Sequence, residues 1–550
     1  MAATTAYRIA MESSAQGPTL ARVITAARAG SLDHAAALFR AGGFDQRAED
    51  PAALAVAGRL AKDRALRLPA AEQPAALAAA AQAYSRAFDL DPQPYTRINA
   101  ATLTLLSGDR ARGQAMAKDL LDWLDSGATF AETPYFLTAT RAEALLLLGE
   151  LGGARAALAQ AFALAPDSAE DLATTLRQLR LILARDGADT AWLDPFRPPR
   201  TLNYAGHLGI AEAAIAPLAA EIAQVLAAER IGAGFGALAA GADLVIAEAL
   251  LDAGIELHVV LPTTPEEFAA QSVIPYGAHW SRRFERCIEQ AASLRWVSTV
   301  SGSYEPLAAH LAADVAMGAS VMHARRLETE AVQLLVIDDA GGPHGAGQDT
   351  AYLGARWRSK RTQVKLVAPR SAPVAPSGTK PREGRADRCL TAILHIAFDG
   401  VDSLDDDAFA AALDTTIAPF RRACEHIEPQ PEVVLPSGNA RIVAFTDPDQ
   451  AWRHAAALLA LPAAAGRLRL VGHYGLAHWL GEPPALVGTS VAALAALAPL
   501  ALPGVLTASD TLASALFVNL SDQIHAEEIG AWHGEALFAL TPDPGNGPCQ

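Results

Sequence analysis

A change of hydrophobic period near residue 197 constrains this chain more than any other feature. From Leu20 to about residue 190, small and apolar residues recur at helical spacing, with short polar turns between and no strand-like run. After that, short β-rich runs alternate with helical segments: Thr201 to Ala205, Ile255 to Leu261, Leu294 to Val300, Ala331 to Ile337 and Val364 to Val367. Such alternation is the mark of βαβ units around a mainly parallel, doubly wound sheet, which binds ligands at the carboxyl ends of its strands. A further break follows, where Pro369, Pro373, Pro376 and Pro381 lie among Ser, Gly, Lys and Arg with no hydrophobic period, as in a linker. Beyond it come Leu390 to Phe398, a helix from Asp406 to His426, a hairpin-like pair (Glu432 to Leu435, Arg441 to Phe445), a helix from Gln450 and a strand from Leu468 to Gly472.

The expected fold class is therefore multidomain: an all-α helical repeat over 1–192, an α/β doubly wound parallel sheet over 197–369, a linker over 370–387 and an α+β domain over 388–543. At roughly 150 residues per domain, 550 residues are compatible with this division.

Half of the residues are hydrophobic, but Ala supplies much of that share. The longest apolar run, Val491 to Leu506, is broken by Pro499 and Pro503 and falls short of the roughly 20 residues a bilayer needs, so no membrane partner is expected. Met1 to Gly17 lacks a basic start followed by an apolar stretch, and a cytoplasmic location is the expectation. Cys287, Cys389, Cys424 and Cys549 form no CxxC pair, which argues against a disulfide framework and a zinc site. A formal net charge of −16 disfavours nucleic acid as a partner. The basic groups at Arg325-Arg326 and Arg356 to Arg361 read as solvated helix faces.

In the first third, Leu106-Ser107-Gly108-Asp109 leads into an Ala-rich helix, as Leu148-Gly149-Glu150-Leu151 does again. Tyr84, Ala87 and Pro92 stand at the spacing of the closing helix of a tetratricopeptide repeat, and Ala161 and Pro166 repeat it. The region resembles a short tetratricopeptide-like solenoid. Tyr95 to Ala101, followed by Tyr135, Ala139, Thr140, Ala142, Glu143 and Ala144, is similar to the helical region called TRAF-binding in some kinase kinase kinases and bacterial signalling proteins. The resemblance implies a protein partner; the alternative is a plain helical bundle that supports its neighbour. Neither reading offers a catalytic residue.

The middle third is organised around Gly232-Ala233-Gly234-Phe235-Gly236-Ala237-Leu238-Ala239-Ala240-Gly241-Ala242-Asp243, read as a glycine-rich loop that opens a helix and runs on into the strand Ile255 to Leu261. Glycines permit close backbone approach to an anion, and free helix N-terminal amides favour phosphate. Candidate ligand-binding residues are Gly206, His207, Gly234, Gly236, Gly241, Asp243, Gly347 and Thr350, the last two in a loop from Asp338 to Thr350 that also carries Gly341, Gly342 and Gly345. A side chain at Gly241 is expected to enter the space of a bound phosphate. His207 is read either as a ligand contact or as a polar residue capping the strand end, and Glu248 as an exposed or N-terminal helix carboxylate.

Ala205-Gly206-His207, Ala239-Ala240-Gly241-Ala242-Asp243 with Glu248, and Leu257-His258-Val259-Val260-Leu261-Pro262 resemble the SLOG superfamily, a Rossmann-like group with many sensors of nucleotides and nucleotide-derived messengers. The resemblance implies a nucleotide pocket at Gly206, His207, Gly241 and Asp243. The hydrolases of that group carry a PGGxGTxxE pattern, whereas this chain has Gly341-Gly342-Pro343-His344-Gly345-Ala346-Gly347-Gln348-Asp349-Thr350 with no matching acid. No cofactor is required on this reading, and a nucleotide or nucleotide-derived ligand fits it.

The last third resembles a class III adenylate or guanylate cyclase domain in the order of its elements. In that family one strand supplies an Asp before a Gly-[FY]-[ST] turn and a Gly-Asp-Gly hairpin supplies a second, and both bind metal ions; a later helix supplies Asn and Arg. Aligning Gly400 with the motif glycine puts Ala397 at the first Asp, Ser437-Gly438-Asn439-Ala440 puts Asn439 at the second, and Val487 to Leu497 puts Ala492 and Ala496 at the Asn and Arg. Asp399 or Asp402 replaces the first Asp only if the strand register slips. The resemblance implies a catalytically inactive domain used for dimerisation, including as a homodimer, or for docking, with no metal or catalytic residue assigned. The ending Leu537 to Leu540 matches the family's last strand.

Together these readings describe a bacterial-type signalling protein that binds a nucleotide-derived ligand centrally and a partner through its helices. The alternatives are an active purine nucleotide cyclase or nucleotide hydrolase, and a scaffold that binds no ligand.

Overall fold

The computed structural model describes residues 18–185, 187–298, 306–338, 348–357, 361–371, 388–401, 404–462, 467–481 and 485–543. They fall into two compact units, one ending at Pro198 and one beginning at Pro199.

The first unit is helical: α1 (Leu20–Arg28), α2 (Leu32–Ala41), α3 (Pro51–Ala65), α4 (Gln73–Leu90), α5 (Pro94–Leu106), α6 (Arg110–Leu124), α7 (Pro134–Leu147), α8 (Leu151–Leu164) and α9 (Ala169–Arg185). One turn recurs four times. Gly30, Gly108, Gly149 and Gly187 take positive φ (79°, 107°, 81° and 60°). The next residue's amide then donates to a carbonyl five positions back: Ser31 to Ala26, Asp109 to Thr104, Glu150 to Leu145 and Ala188 to Leu183, at 2.9 to 3.2 Å. A left-handed glycine ends a helix this way because no Cβ opposes the reversal. The two matching segments seen in the sequence are two of these turns. Tyr84 and Ala87 are fully buried on α4, and a Cβ on Gly58 would stand 2.8 Å from the Tyr84 ring, so α3 and α4 approach closely only because residue 58 is Gly. A polar row joins α5, α7 and α9: Thr102 of α5 and Gln178 of α9 both donate to Oε1 of Glu143 on α7, at 2.6 and 2.9 Å.

The second unit contains two sheets. The first joins β1 (Arg200–Gly206), β2 (Ile231–Gly236), β3 (Glu256–Leu261), β4 (Ser293–Trp296), β5 (Ala331–Ile337) and β6 (Gln363–Val367) in the order β4-β3-β2-β1-β5-β6. All its neighbours are parallel. Its helices are α10 (Glu212–Ala228), α11 (Ala242–Asp252), α12 (Pro265–Ser272), α13 (Ala278–Gln290), α14 (Pro306–Arg326) and α15 (Gln348–Arg356). Strand order reverses between β1 and β5, which is the switch point of a doubly wound sheet. The glycine-rich stretch differs from its expectation: residues 231–236 form β2, a strand next to the centre of the sheet, and only Gly241 borders a helix. The run from Leu294 yields a strand to Trp296, and residues 299–300 lie outside the described part.

The second sheet joins β7 (Arg388–Phe398), β8 (Val433–Ser437), β9 (Ala440–Phe445), β10 (Leu468–Leu480), β11 (Ala485–Val487), β12 (Leu506–Ser509), β13 (Ile524–Trp532) and β14 (Glu535–Pro542), in the order β13-β14-β12-β10-β7-β9-β8 with β11 against β10. Its helices are α16 (Asp406–Ala412), α17 (Ala418–Cys424), which continues α16 through a π turn at Leu413–Ile417, α18 (Pro448–Leu459), α19 (Thr489–Leu497) and α20 (Asp510–Leu520). One apolar core runs from α14 (Leu311, Val315, Met317) through α20 (Leu512, Leu516) to β7 and β10 (Leu394, Leu470). Both sheets therefore belong to one hydrophobic body. Most of the connecting residues 370–387 lie outside the described part.

Polar contacts at this junction correct one further expectation. Arg356 pairs with buried Asp314 at 2.8 Å, and Arg361 donates to the carbonyls of Val518 and Phe517 at the end of α20, so neither belongs to a merely solvated helix face. Arg325 likewise pairs with Asp543 at 2.9 Å. Arg295 of β4 pairs with Asp510 at the start of α20.

Candidate functional site

At the carboxyl edge of the parallel sheet, Gly206 ends β1 and its amide donates to Oδ1 of Asp243 at 2.8 Å, while the Ala239 amide approaches Oδ2 at 3.3 Å. Asp243 is buried in the first turn of α11, where a carboxylate is favoured by the helix dipole. His207 is also buried; its Nε2 lies 2.9 Å from the Ala368 carbonyl, and its backbone carbonyl accepts from Ala242 at 3.4 Å. The structure thus brings Gly206, His207, Gly241 and Asp243 together.

Gly241 has φ 121°, and a Cβ there would lie 2.6 Å from the Gly209 amide nitrogen and 2.9 Å from the His207 carbonyl oxygen. A side chain at 241 would therefore strike the protein's own backbone, at a φ that L residues rarely reach. The other glycines make room for side chains. A Cβ on Gly206 would overlap Ala242, one on Gly234 would overlap Leu250, and one on Gly236 would stand 2.5 Å from the Tyr204 ring. Gly347 lies outside the described residues, as do Gly341, Gly342 and Gly345; Thr350 lies in α15, and its side chain is outside the described part. Glu248 is not an exposed helix carboxylate: both of its oxygens accept from Arg283, which also stacks on Trp280, 4.2 Å from the ring centroid.

Sequence reasoning missed a strap over the switch point. Ala368–Ser371 follows β6, yet it bonds to the loop after β1, crossing the end of β5 between them. Ala211 donates to Pro369 at 3.0 Å and Ser371 to Gly209 at 3.4 Å, and His207 meets Ala368. On the strap, Arg370 pairs with Asp338, the residue after β5, at 3.4 Å. The available sequence signal was a lone Arg in a proline-rich stretch, which reads as linker until the sheet order is known.

In the second sheet, Ala397 is paired with Arg469 on β10, and it lies one step past the last β7–β9 pair, Ile396 with Arg441. Asn439 sits in the turn between β8 and β9, so both positions stand at one end of neighbouring strands. Asp399 is taken by Arg469, 2.9 Å from Nε; Asp402 lies outside the described residues. Ala492 and Ala496 are exposed on α19, one turn apart. Two divalent cations at this place need carboxylate oxygens, and a methyl group with a neutral amide beside a fixed guanidinium does not fit them. Among the described residues no cluster of His, Cys, Asp and Glu has the geometry of a metal site.

Residues 7–104 match the family model Tetratricopeptide Repeats-Sensor. The match begins within the undescribed N-terminal residues and ends in α5. Among solved structures, the guanylyl cyclase domain of the RhoGC fusion protein from the aquatic fungus Blastocladiella emersonii is similar at 12% identity, covering 29% of this chain and 100% of that one, with a TM-score of 0.25. The adenylyl cyclase CyaB from P. aeruginosa is similar at 13% identity, covering 28% and 95%, with a TM-score of 0.23. An adenylate/guanylate cyclase/hydrolase from Silicibacter pomeroyi is similar at 17% identity, covering 29% and 99%, with a TM-score of 0.22. No curated protein matches by sequence. No helix among the described residues is long and apolar enough to cross a membrane.

Proposed function

We propose that this is a non-catalytic signalling protein. Its helical repeats engage a protein partner, its parallel-sheet module takes a nucleotide or nucleotide-derived ligand at the β1–β5 switch point, and its cyclase-like sheet serves dimerisation or docking instead of turnover. The observation that carries the reading is the pairing of Asp399 with Arg469 beside Ala397. The acid nearest to the first metal position is already neutralised by a guanidinium, and Asn439 stands at the second. A cyclase without these carboxylates has nothing to activate the ribose hydroxyl or to offset triphosphate charge. Ligand binding is supported by the strand-order reversal at Gly206 and by the convergence of three loops there. A cytoplasmic location is part of the same proposal.

Product analysis with ATP or GTP and Mn²⁺ tests it. No cyclic nucleotide is expected, from the wild type or from Asp399→Ala. Steady turnover by the wild type, abolished in Asp399→Ala, would reveal a displaced metal site and end the reading.

A further inference from the structure

The N-terminus of α11, where a phosphate cradle was expected, is already occupied from within. Its Ala242 and Leu244 amides donate to the carbonyls of His207 and Ala239, and the Asp243 carboxylate beside them accepts from the Gly206 and Ala239 amides. A ligand anion at the carboxyl edge therefore needs positive charge from another group. Among the described residues that directly follow the six strands (207–211, 237–241, 262–264, 297–298, 338 and 368–371), Arg370 is the single Arg or Lys. It sits on the strap across the switch point and pairs with Asp338, the acid that follows β5. The Asp338 side chain is 10% exposed and that of Arg370 is 28% exposed, with the Tyr276 hydroxyl within its electrostatic reach.

We infer that Arg370 is the anion-recognising residue of the crevice, receiving a phosphoryl group of the ligand in exchange for Asp338. This rests on the proposed ligand site and adds the class of group recognised and the residue that recognises it. A guanidinium presents a planar fork of donors that fits carboxylate and phosphate oxygens alike, so the exchange keeps its geometry while the greater total negative charge of a phosphate-bearing ligand favours it over a single carboxylate. Asp338 then acts as a placeholder: in the unliganded protein it compensates the charge of Arg370, and it competes with the ligand. The strap is fastened by backbone bonds at Pro369 and Ser371 on either side, so Arg370 reaches the crevice from a fixed base.

The test is calorimetry and differential melting of the full chain with ATP, GTP and a cyclic dinucleotide, with adenosine as the phosphate-free probe. At least one phosphate-bearing ligand should stabilise the wild type, and adenosine should not. Asp338→Asn should bind that ligand about tenfold tighter, since the competing charge is gone, and Arg370→Gln about tenfold or more weaker, with Arg370→Lys between them. Cooperative melting of Arg370→Gln without ligand keeps its loss of binding distinct from loss of fold. Nucleotide binding unchanged in Arg370→Gln, or weakened in Asp338→Asn, would overturn the assignment of Arg370 while leaving a ligand site intact. If no ligand stabilises either the wild type or Asp338→Asn, the ligand site itself falls, and this inference with it.

Discussion

Gly318 of α14 and Ser514 of α20 meet backbone to backbone: a Cβ added at 318 would overlap the Ser514 carbonyl oxygen. Two helices, one from each sheet's complement, can come this close only where one of them has no side chain. Beside the contact, Thr201 of β1 donates to the Ser320 carbonyl of the same helix at 2.8 Å, so α14 is held by one sheet and pressed onto the other.

Gly318→Val should therefore destabilise the whole second unit, by about 3 kcal/mol, the upper part of the usual range for overpacking. Melting followed separately by probes in each sheet should show both transitions moving down together. A wild-type melting profile would mean that the helices have room to part.

A fragment of residues 199–550 should fold without the helical unit, since the two units form their own cores. The second sheet's part alone, residues 388–550, should not: it would expose the face of α20 that packs against α14. Solubility and a cooperative melt of each fragment decide the matter, and a well-folded 388–550 would refute the shared core.

Glu143 is half-buried, and desolvation raises its carboxyl pKa above the ordinary glutamate value, against the lowering effect of the Thr102 and Gln178 hydrogen bonds. The folded state then holds a proton that the unfolded chain has already lost. This contribution to stability is present at acid pH and declines as pH rises through the window above the usual glutamate range. Relative to the wild type, Glu143→Gln should gain stability from pH 4.5 to pH 8, measured by denaturant titration of the helical unit. A flat difference would show that Glu143 stays ionised.

His473 gives the opposite sign. Burial pulls its imidazole down to about 4, and its Nδ1 lies 3.0 Å from Ser509 Oγ. Between about 6.5 and about 4 the unfolded chain binds a proton that the folded state refuses, so the second unit should lose stability as pH falls through that window. His473→Gln should lose less over the same range, and an identical pH slope for the two proteins would refute it.

Much of the architecture was legible in the sequence because period reports burial. The helical third, the strands β1, β3, β5 and β6, and the helix from Asp406 all follow their patterns. β2 was hidden for a physical reason. Three of its six residues are Gly, a residue strands avoid, and they are tolerated because Pro199, Leu250 and Tyr204 fill the missing side-chain space. The sequence around Gly318 did carry a sign of the merged sheets, since α14 is buried on nearly every side and a helix apolar all round has neighbours all round. At the edge of the parallel sheet, the sequence pointed to His207 and Asp243 but passed over Arg370, and it gave no partner for any of them. Which carbonyl His207 meets, or which acid Arg370 faces, depends on strand order, and no local pattern encodes that.

The strap has a mechanical side. Ala368, Pro369, Arg370 and Ser371 close the switch point, and they are also the first residues of the chain's run from β6 to β7. Four residues released from their bonds add at most about 13 Å of reach to that run. While the strap is fastened, that length is withheld from the connection between the sheets, whose packing at Gly318 and Ser514 does not depend on it.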